Sequence, residues 1–309
     1  MTRQIGPIAL VSLGSLALVS LAACTDAAPA SDPDVSIEAP AETDVSAEAG
    51  TLDAAVAGAW RSDADTARDG ARNPAETLAF FGVESSDTVV ELWPGGGWYS
   101  QVLAPYLASG SGQLVAATWA RDEFGPEYAE QLDTAIEAYR AGFAAQPELY
   151  GTVVLTTLSA ESGPMVDAGT ADVVLTFRNI HNWMDKGYLD KVFADAFAAL
   201  KPGGTFGVVE HRLPSRAEQD PSASSGYVHE DFVKAVAARA GFEFAEASEI
   251  NANPVDNADH PFGVWTLPPN LRSTGPDGET PENYDASVFE QIGESDRMTL
   301  KFVKPVPSQ

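Results

Sequence analysis

Polar side chains that can move a proton or hold a charged group follow two apolar segments in the middle of the chain. They are Arg178, Asn179, His181, Glu210 and His211. An imidazole ionises near neutral pH, so His181 is a candidate acceptor for a proton from a substrate hydroxyl or amine. The alternative is a histidine that packs and caps the next helix. Arg178 and Asn179 are candidate substrate contacts or structural hydrogen-bond donors, and His211 is a candidate lining residue of the same pocket.

Two predicted strands position these side chains. Residues 172–177 are apolar throughout, which is typical of a strand covered on both faces of a parallel sheet. A predicted helix over 186–200 leads to the second strand, 205–210. Ligands of open α/β sheets bind over the carboxyl ends of the strands, which is where the polar residues stand.

A third segment, residues 88–107, predicts a strand, a glycine turn and a helix. Residues 88–93 are apolar and β-branched, and Pro94 is followed by Gly95, Gly96 and Gly97. Apolar residues then recur at helical spacing. Glycines let a backbone approach a ligand closely, because no Cβ intervenes, and the amides that begin the next helix face whatever lies over the turn.

The order of these pieces resembles a known family. The glycine turn comes first, then the Asp-Val-Val strand at 172–174, then Leu-Lys-Pro-Gly-Gly at 200–204. This order resembles the class I S-adenosylmethionine-dependent methyltransferases over residues 72–305. It looks closest to predicted bacterial methyltransferases that carry the Glu-Leu-Trp-Pro-Gly-Gly-Gly-Trp-Tyr variant of the glycine motif, here residues 91–99.

The resemblance implies an α/β fold with a Rossmann-like, seven-stranded, mostly parallel sheet and helices on both faces. The remaining strands are predicted at 113–118, 152–158, 242–250 and 298–303. The last of these is expected to run antiparallel to its neighbours. Residues 251–294 are then an insertion between the last two strands.

The resemblance also implies S-adenosylmethionine as cofactor and methyl transfer to a small acceptor of unknown identity. The three glycines would cradle the methionine part of the cofactor. Glu91 would orient the turn or meet the cofactor's amino group. Further cofactor neighbours are predicted at Tyr99, Asp122 and Glu161.

Two departures from the family pattern keep a second interpretation open. Trp93 stands where the first glycine of the motif is usual, and the acid that contacts the ribose at the end of the second strand comes late, at Asp122 or Glu123. These departures favour an envelope protein that uses a methyltransferase-like fold for ligand or partner binding without catalysis. A nicotinamide-dependent oxidoreductase is a weaker third interpretation, because the glycines are consecutive rather than spaced as G-x-G-x-x-G.

The amino terminus predicts export and lipidation. Arg3 precedes an apolar run over residues 8–23, which ends in small residues directly before Cys24, the only cysteine of the chain. Signal peptides have this form, and the cysteine resembles a bacterial lipobox. Residues 1–23 are therefore predicted to be a lipoprotein signal peptide, with Cys24 as the lipid anchor at the cell envelope. A transmembrane anchor or an ordinary signal peptide is the alternative.

The charge composition limits the kinds of partner that the protein can bind. The chain of 309 residues has 18 Lys and Arg against 45 Asp and Glu, a net charge of −27. This balance argues against nucleic acid as a partner, because phosphate contacts need basic surface. Residues 24–53 are acidic and poor in large apolar side chains, so a disordered tether is predicted there and a folded domain over 54–309.

Two further groups of polar residues have a functional and a structural interpretation. Arg68 and Arg72 precede the first strand and are either site residues or a salt-bridged surface pair. Asp256, Asp259 and His260 offer ligands that suit several metal ions, but their spacing fits a polar loop better, and no metal site is predicted.

Overall fold

A computed structural model describes residues 49–275 and 277–307, which belong to one compact unit, Val45–Gln309. The predicted signal peptide, Cys24 and most of the predicted tether lie outside the described residues. Within the described part, no helix is both long enough and apolar enough to cross a bilayer.

Eight strands form in the described part of the chain. They are β1 (Thr88–Leu92), β2 (Gln113–Thr118), β3 (Val154–Thr157), β4 (Ala171–Phe177), β5 (Leu200–His211), β6 (Glu243–Ser248), β7 (Pro261–Val264) and β8 (Arg297–Val303). Seven of them make one sheet in the order β3-β2-β1-β4-β5-β8-β6, and β7 lies outside it. Strands β1 to β5 are mutually parallel, whereas β8 is antiparallel to β5 and β6. The predicted Rossmann-like sheet with an antiparallel last strand is confirmed.

Eleven α-helices are present in the described residues. They are α1 (Leu52–Val56), α2 (Asp63–Thr66), α3 (Asp69–Arg72), α4 (Pro74–Phe81), α5 (Ser100–Ala108), α6 (Ala129–Ala144), α7 (Pro147–Tyr150), α8 (Ile180–Lys186), α9 (Leu189–Ala199), α10 (Glu230–Ala240) and α11 (Ala286–Ile292). Apolar side chains of α4 to α7 bury one face of the sheet, and those of α8 to α10 bury the other. The sheet therefore has helices on both faces, as predicted.

Two predicted boundaries differ from the structure. Ala49 is fully buried and α1 begins at Leu52, capped by the Thr51 hydroxyl, so the tether cannot extend to residue 53 as predicted. Strand β5 begins at Leu200 rather than at 205. Residues 201–204 bulge from it, because the ladder to β4 shifts register between the pairs Ala171–Leu200 and Val173–Thr205.

The insertion between β6 and β8 is fastened by a buried carboxylate. Asp256 accepts hydrogen bonds from the His260 ring (2.8 Å), the Tyr227 hydroxyl (2.9 Å) and the backbone N–H of Ala258 and Asp296 (2.8 Å each). Asp259 is exposed and does not join this group. Asp256 and His260 thus bond each other and the loop, as the polar-loop interpretation expects. The insertion is thereby held beside the carboxyl ends of β4 and β5.

Candidate functional site

The glycine turn leaves open space above the end of β1. A Cβ added to Gly95 or Gly96 would meet no atom within 4 Å, and Gly95 has a positive φ of 63° that a side chain would strain. At Gly97 the reason for glycine is packing, because an added Cβ would lie 3.0 Å from the Tyr139 ring. Gly95 and Gly96 therefore border a place where a small group can approach the backbone.

Glu91 is bonded inside the fold. It is buried at 2% exposure, and its carboxylate accepts a hydrogen bond from Ser100 Oγ (2.5 Å), which in turn accepts one from the Tyr139 hydroxyl (2.9 Å). Burial raises the pKa of Glu91 to about 7, and the Ser100 hydrogen bond offsets only part of that effect. Because Ser100 begins α5, this contact ties the end of β1 to the helix that follows the turn.

Trp93 stands in place of the first glycine, and its side chain extends from the end of β1 toward the end of β3. Its φ is +49°, in the region that a bulky residue rarely adopts. Its indole N–H donates to the carbonyl of Leu158, directly after β3 (2.9 Å), and the side chain is almost wholly buried.

Four other aromatic rings enclose the Trp93 indole. Their centroids lie between 5.4 and 6.4 Å from it, and they belong to Trp183, Phe124, Trp119 and Tyr188. We call these five residues the aromatic cluster. It fills the space between the carboxyl ends of β1, β2 and β3 and the start of α8.

The acids predicted near the cofactor lie apart from this space. Asp122 and Glu161 are exposed, and neither side chain makes a hydrogen bond within the described residues. Glu123 instead accepts a hydrogen bond from Tyr188 (2.8 Å), at the edge of the aromatic cluster. Tyr99 is buried, stacked on Phe177 with centroids 3.6 Å apart.

The site as described fits only part of S-adenosylmethionine. The space over Gly95 and Gly96 fits the methionine part. The ribose and adenine positions that the family resemblance implies, at the ends of β2 and β3, are filled by the Trp93 indole and its neighbours. The nucleoside part does not fit this conformation of the chain.

A buried carboxylate organises the other half of the site. Glu210, at the end of β5, is fully buried; it accepts hydrogen bonds from the backbone N–H of Ile180 (2.6 Å) and of His211 (2.8 Å) and contacts His181 Nδ1 (3.1 Å). It thereby caps the amino end of α8, because Asn179 makes no side-chain cap. The contact favours the His181 tautomer that carries its proton on Nδ1, which leaves Nε2 as a proton acceptor.

His211 lies beside this pair. The two imidazole rings are 5.5 Å apart, and His211 Nδ1 lies 2.5 Å from the Ser295 hydroxyl. One ligand atom from each of His181, Glu210 and His211 lies within 4.8 Å of the others, which is close enough for a shared metal ion. Burial, together with the charges of His181 and Arg178, holds the pKa of His211 well below its usual value.

Four guanidinium groups gather around Glu294, and three of them also act on His211. Glu294 pairs with Arg68 (2.7 Å), Arg72 (3.1 Å) and Arg297 (3.2 Å). Burial opposes ionisation of Glu294, but its arginine partners outweigh it and lower the pKa of Glu294 to about 2. Arg72 is only 1% exposed, so the predicted surface pair of Arg68 and Arg72 is wrong. We call Arg68, Arg72, Arg178 and Arg297 the arginine cluster.

Two of the three predicted substrate residues lie together, and the third has a structural role. Arg178 and His211 line one small cleft together with Ser295 and Trp265. Asn179 has a structural contact instead, since its amide donates to the carbonyls of Leu92 (3.0 Å) and Trp93 (3.2 Å). It joins the end of β4 to the glycine turn.

Three residues of this site, Glu294, Ser295 and Arg297, were not predicted from the sequence. Glu294 lies 222 positions after its partner Arg72, and no local motif marks Glu294. The only available signal was the polar run 294–297 directly before the last predicted strand.

No protein-family model matches the chain, and no curated protein matches it. Solved structures do match, and several of them are named as methyltransferases. The strand order of the sheet itself gives the chain the Rossmann-like fold of the class I methyltransferases.

Among the matching structures is the (4+2)-cyclase SpnF, with a TM-score of 0.50, 14% identity and coverage of 77% of this chain and 81% of that one. The CcbJ methyltransferase from Streptomyces caelestis has a TM-score of 0.47 at 17% identity, with 79% and 99% covered. A methyltransferase from Aquifex aeolicus has 0.45 at 15% identity, with 60% and 87% covered. At these identities the likeness concerns the fold alone, and a fold of this kind hosts more than one chemistry.

The raised pKa of Glu91 predicts a pH-dependent stability. The unfolded carboxyl ionises near pH 4.3 and the folded one near pH 7, so this contribution is fully present below about pH 4.3 and is lost as pH rises to about 7. Glu91→Gln keeps a neutral side chain of the same shape. Relative to the native chain it should gain about 3 kcal/mol of unfolding free energy between pH 4 and pH 8, measured by urea denaturation. Parallel curves for both proteins would contradict the assignment.

Proposed function

We propose that the chain is an S-adenosylmethionine-dependent methyltransferase that acts on a small acceptor bound at the ends of β4 and β5. One observation carries the proposal. In a sheet of this fold class, the open turn at Gly95 and Gly96 and the His181–Glu210 pair lie at the same edge. The bound cofactor would supply an activated methyl group, so the chain has mainly to position the acceptor and remove its proton.

His181 is the proposed proton acceptor. Its contact with Glu210 fixes the ring, and the carboxylate stabilises the imidazolium that forms when Nε2 takes a proton. Glu210 is itself fixed by two backbone N–H groups, so the pair is held in place before a substrate arrives.

Cofactor entry in this proposal requires the Trp93 indole to leave the ends of β2 and β3. Two features make the closed arrangement costly. The positive φ of Trp93 is strained by about 1–3 kcal/mol. The buried indole N–H of Trp183 has no acceptor within the described residues, and a polar nucleoside could supply one.

The same aromatic cluster favours a second candidate function. If the Trp93 indole stays in place, the protein uses the methyltransferase fold to bind a different ligand and does no methyl transfer. The observation in favour is that the indole already bonds the Leu158 carbonyl and is enclosed by four aromatic rings.

Calorimetric titration of the full chain in detergent micelles with S-adenosylhomocysteine separates the two functions. The methyltransferase proposal expects a dissociation constant of about 10 µM or lower for the native chain. Trp93→Gly should tighten binding at least about tenfold, because it removes both the strain and the ring that must move.

Trp60→Phe is the matched control, since the Trp60 indole bonds the Gln101 carbonyl outside the aromatic cluster and the change leaves the Trp93 indole in place. Its affinity should stay within about threefold of the native value. Absence of binding by the native chain would reject the methyltransferase proposal. Binding gained only in Trp93→Gly would identify the indole as a permanent replacement for the nucleoside and support the second function.

The role of His181 predicts a separation of turnover from binding. With isotopically labelled S-adenosylmethionine and an acceptor found by screening envelope extracts, His181→Gln should lower kcat about 10²–10⁴-fold. Affinity for S-adenosylhomocysteine should be unchanged. His229→Gln is the control, because that ring bonds the Ala217 carbonyl outside the site. Equal turnover of His181→Gln and native protein would exclude His181 as the base.

We also propose that the protein acts at the bacterial cell envelope, tethered through a lipid on Cys24 and facing the periplasm or the exterior. The support is the apolar run and small residues before that cysteine. In cells fed a labelled fatty acid, the native chain should carry label and sediment with membranes, whereas Cys24→Ser should not. Unlabelled native protein would reject the anchor.

A further inference from the structure

A small cleft opens beside the histidine pair. Its volume is about 50 Å³, and its polar lining residues include Arg178, His211, Ser295 and the carboxylate Glu294. Its apolar lining residues include Trp265 and Pro268. A water molecule occupies about 30 Å³, so this space suits a group of a few heavy atoms and not a whole substrate.

The charges around the cleft do not balance. The four guanidinium groups of the arginine cluster share one close carboxylate, Glu294, and the nearby Glu210 is bonded to backbone N–H groups and His181. Arg72 and Arg297 are buried and Arg68 and Arg178 are partly buried, so this excess of positive charge lies largely inside a chain whose net charge is −27. Buried charge without a partner is costly, so a structure that keeps it has a use for it.

Among the described residues, Arg178 is the member of the arginine cluster that makes no close ion pair, and Glu294 attracts it only from a distance. Its side chain makes no hydrogen bond or ion pair with any residue of 49–275 or 277–307, although it lines the cleft. Its backbone is held in the left-handed region, with φ of +64°, by a hydrogen bond from its N–H to the Val209 carbonyl (2.7 Å). Burial lowers the pKa of this guanidinium to about 10, which still leaves it charged at neutral pH.

We propose that this cleft binds the carboxylate of a small organic acid. The guanidinium of Arg178 presents parallel N–H donors that match the two oxygens of a carboxylate. The Ser295 hydroxyl and the His211 ring lie beside it and can complete the hydrogen bonding. The remainder of the acid would lie against Trp265 and Pro268, whose surfaces suit a hydrocarbon chain.

A divalent metal ion is the competing ligand for this place, because His181, Glu210 and His211 could converge on one. Two observations favour the anion. Both oxygens of Glu210 already accept hydrogen bonds from the backbone. The adjoining guanidinium groups would repel a second positive charge but attract a negative one.

A small organic acid is thus the ligand class of the proposed acceptor site. The proposed function is needed only for the further step in which this acid accepts the methyl group. Anion binding itself needs no cofactor. Carboxylate binding without S-adenosylhomocysteine binding would reject the methyltransferase and leave this proposal standing. Binding of S-adenosylhomocysteine without carboxylate binding would reject the carboxylate proposal and leave the methyltransferase proposal standing.

The test is titration of the full chain in detergent micelles with acetate and propionate, at an ionic strength held constant with sodium chloride. We expect a dissociation constant of about 1 mM and a matching gain in unfolding temperature. Arg178→Gln should weaken binding at least about tenfold. Without ligand, the same variant should unfold no more easily than the native chain, because the charge it removes is desolvated, has no close ion pair and is repelled by Arg297 and Arg68 as well as attracted by Glu294.

Arg239→Gln is the control of equal charge. Arg239 pairs with Asp190 on the surface at 2.8 Å, with its side chain 55% exposed, so its removal should leave carboxylate binding unchanged. Three results would overturn the proposal: no binding of either acid by the native chain, equal binding by Arg178→Gln, or binding of phosphate alone. Saturable Zn²⁺ binding lost in His211→Ala, without carboxylate binding, would assign the cleft to a metal.

Discussion

The site depends on one buried carboxylate. Glu210 ends β5, and it bonds the first backbone N–H of α8, the N–H of His211 and the ring of His181. A carboxylate with full burial is tolerated only where such donors surround it. Here that requirement fixes the start of α8 and two histidines at once, so the chemistry at the ends of β4 and β5 is a consequence of satisfying Glu210.

The glycine turn leaves space for a ligand, whereas the aromatic cluster fills the space beside it. Gly95 and Gly96 leave the backbone accessible, as a turn that receives a ligand should. Trp93 then fills the neighbouring space with an indole whose N–H bonds the Leu158 carbonyl, at the end of β3. A large apolar ring gains more from burial than a solvated nucleoside does, so any ligand that enters there must compete with the chain's own side chain.

The chain is strongly acidic overall, but positive charge predominates inside the molecule at the site. Arginines gathered around Glu294 tie the helices before β1 to the segment before β8, for example where Arg68 meets Glu294 at 2.7 Å. Arg178 stands next to them and makes no close ion pair with any described residue. Screening is weak in a buried place, so this imbalance acts on a ligand at the cleft far more strongly than the surface charge does.

The sequence alone determined the sheet and the turn, because the apolar strands, the glycine run and Lys-Pro-Gly-Gly are local patterns that depend on neighbouring residues. It also placed His181 and His211 at the carboxyl ends of adjacent strands. It could not place Glu294 or Ser295, which lie beside β8 where Asp256 bonds the Asp296 backbone and Tyr227. Nor could it show that the Trp93 ring crosses to β3. Those contacts join residues far apart in the chain, and only packing and the pairing of buried charges in the folded molecule decide them.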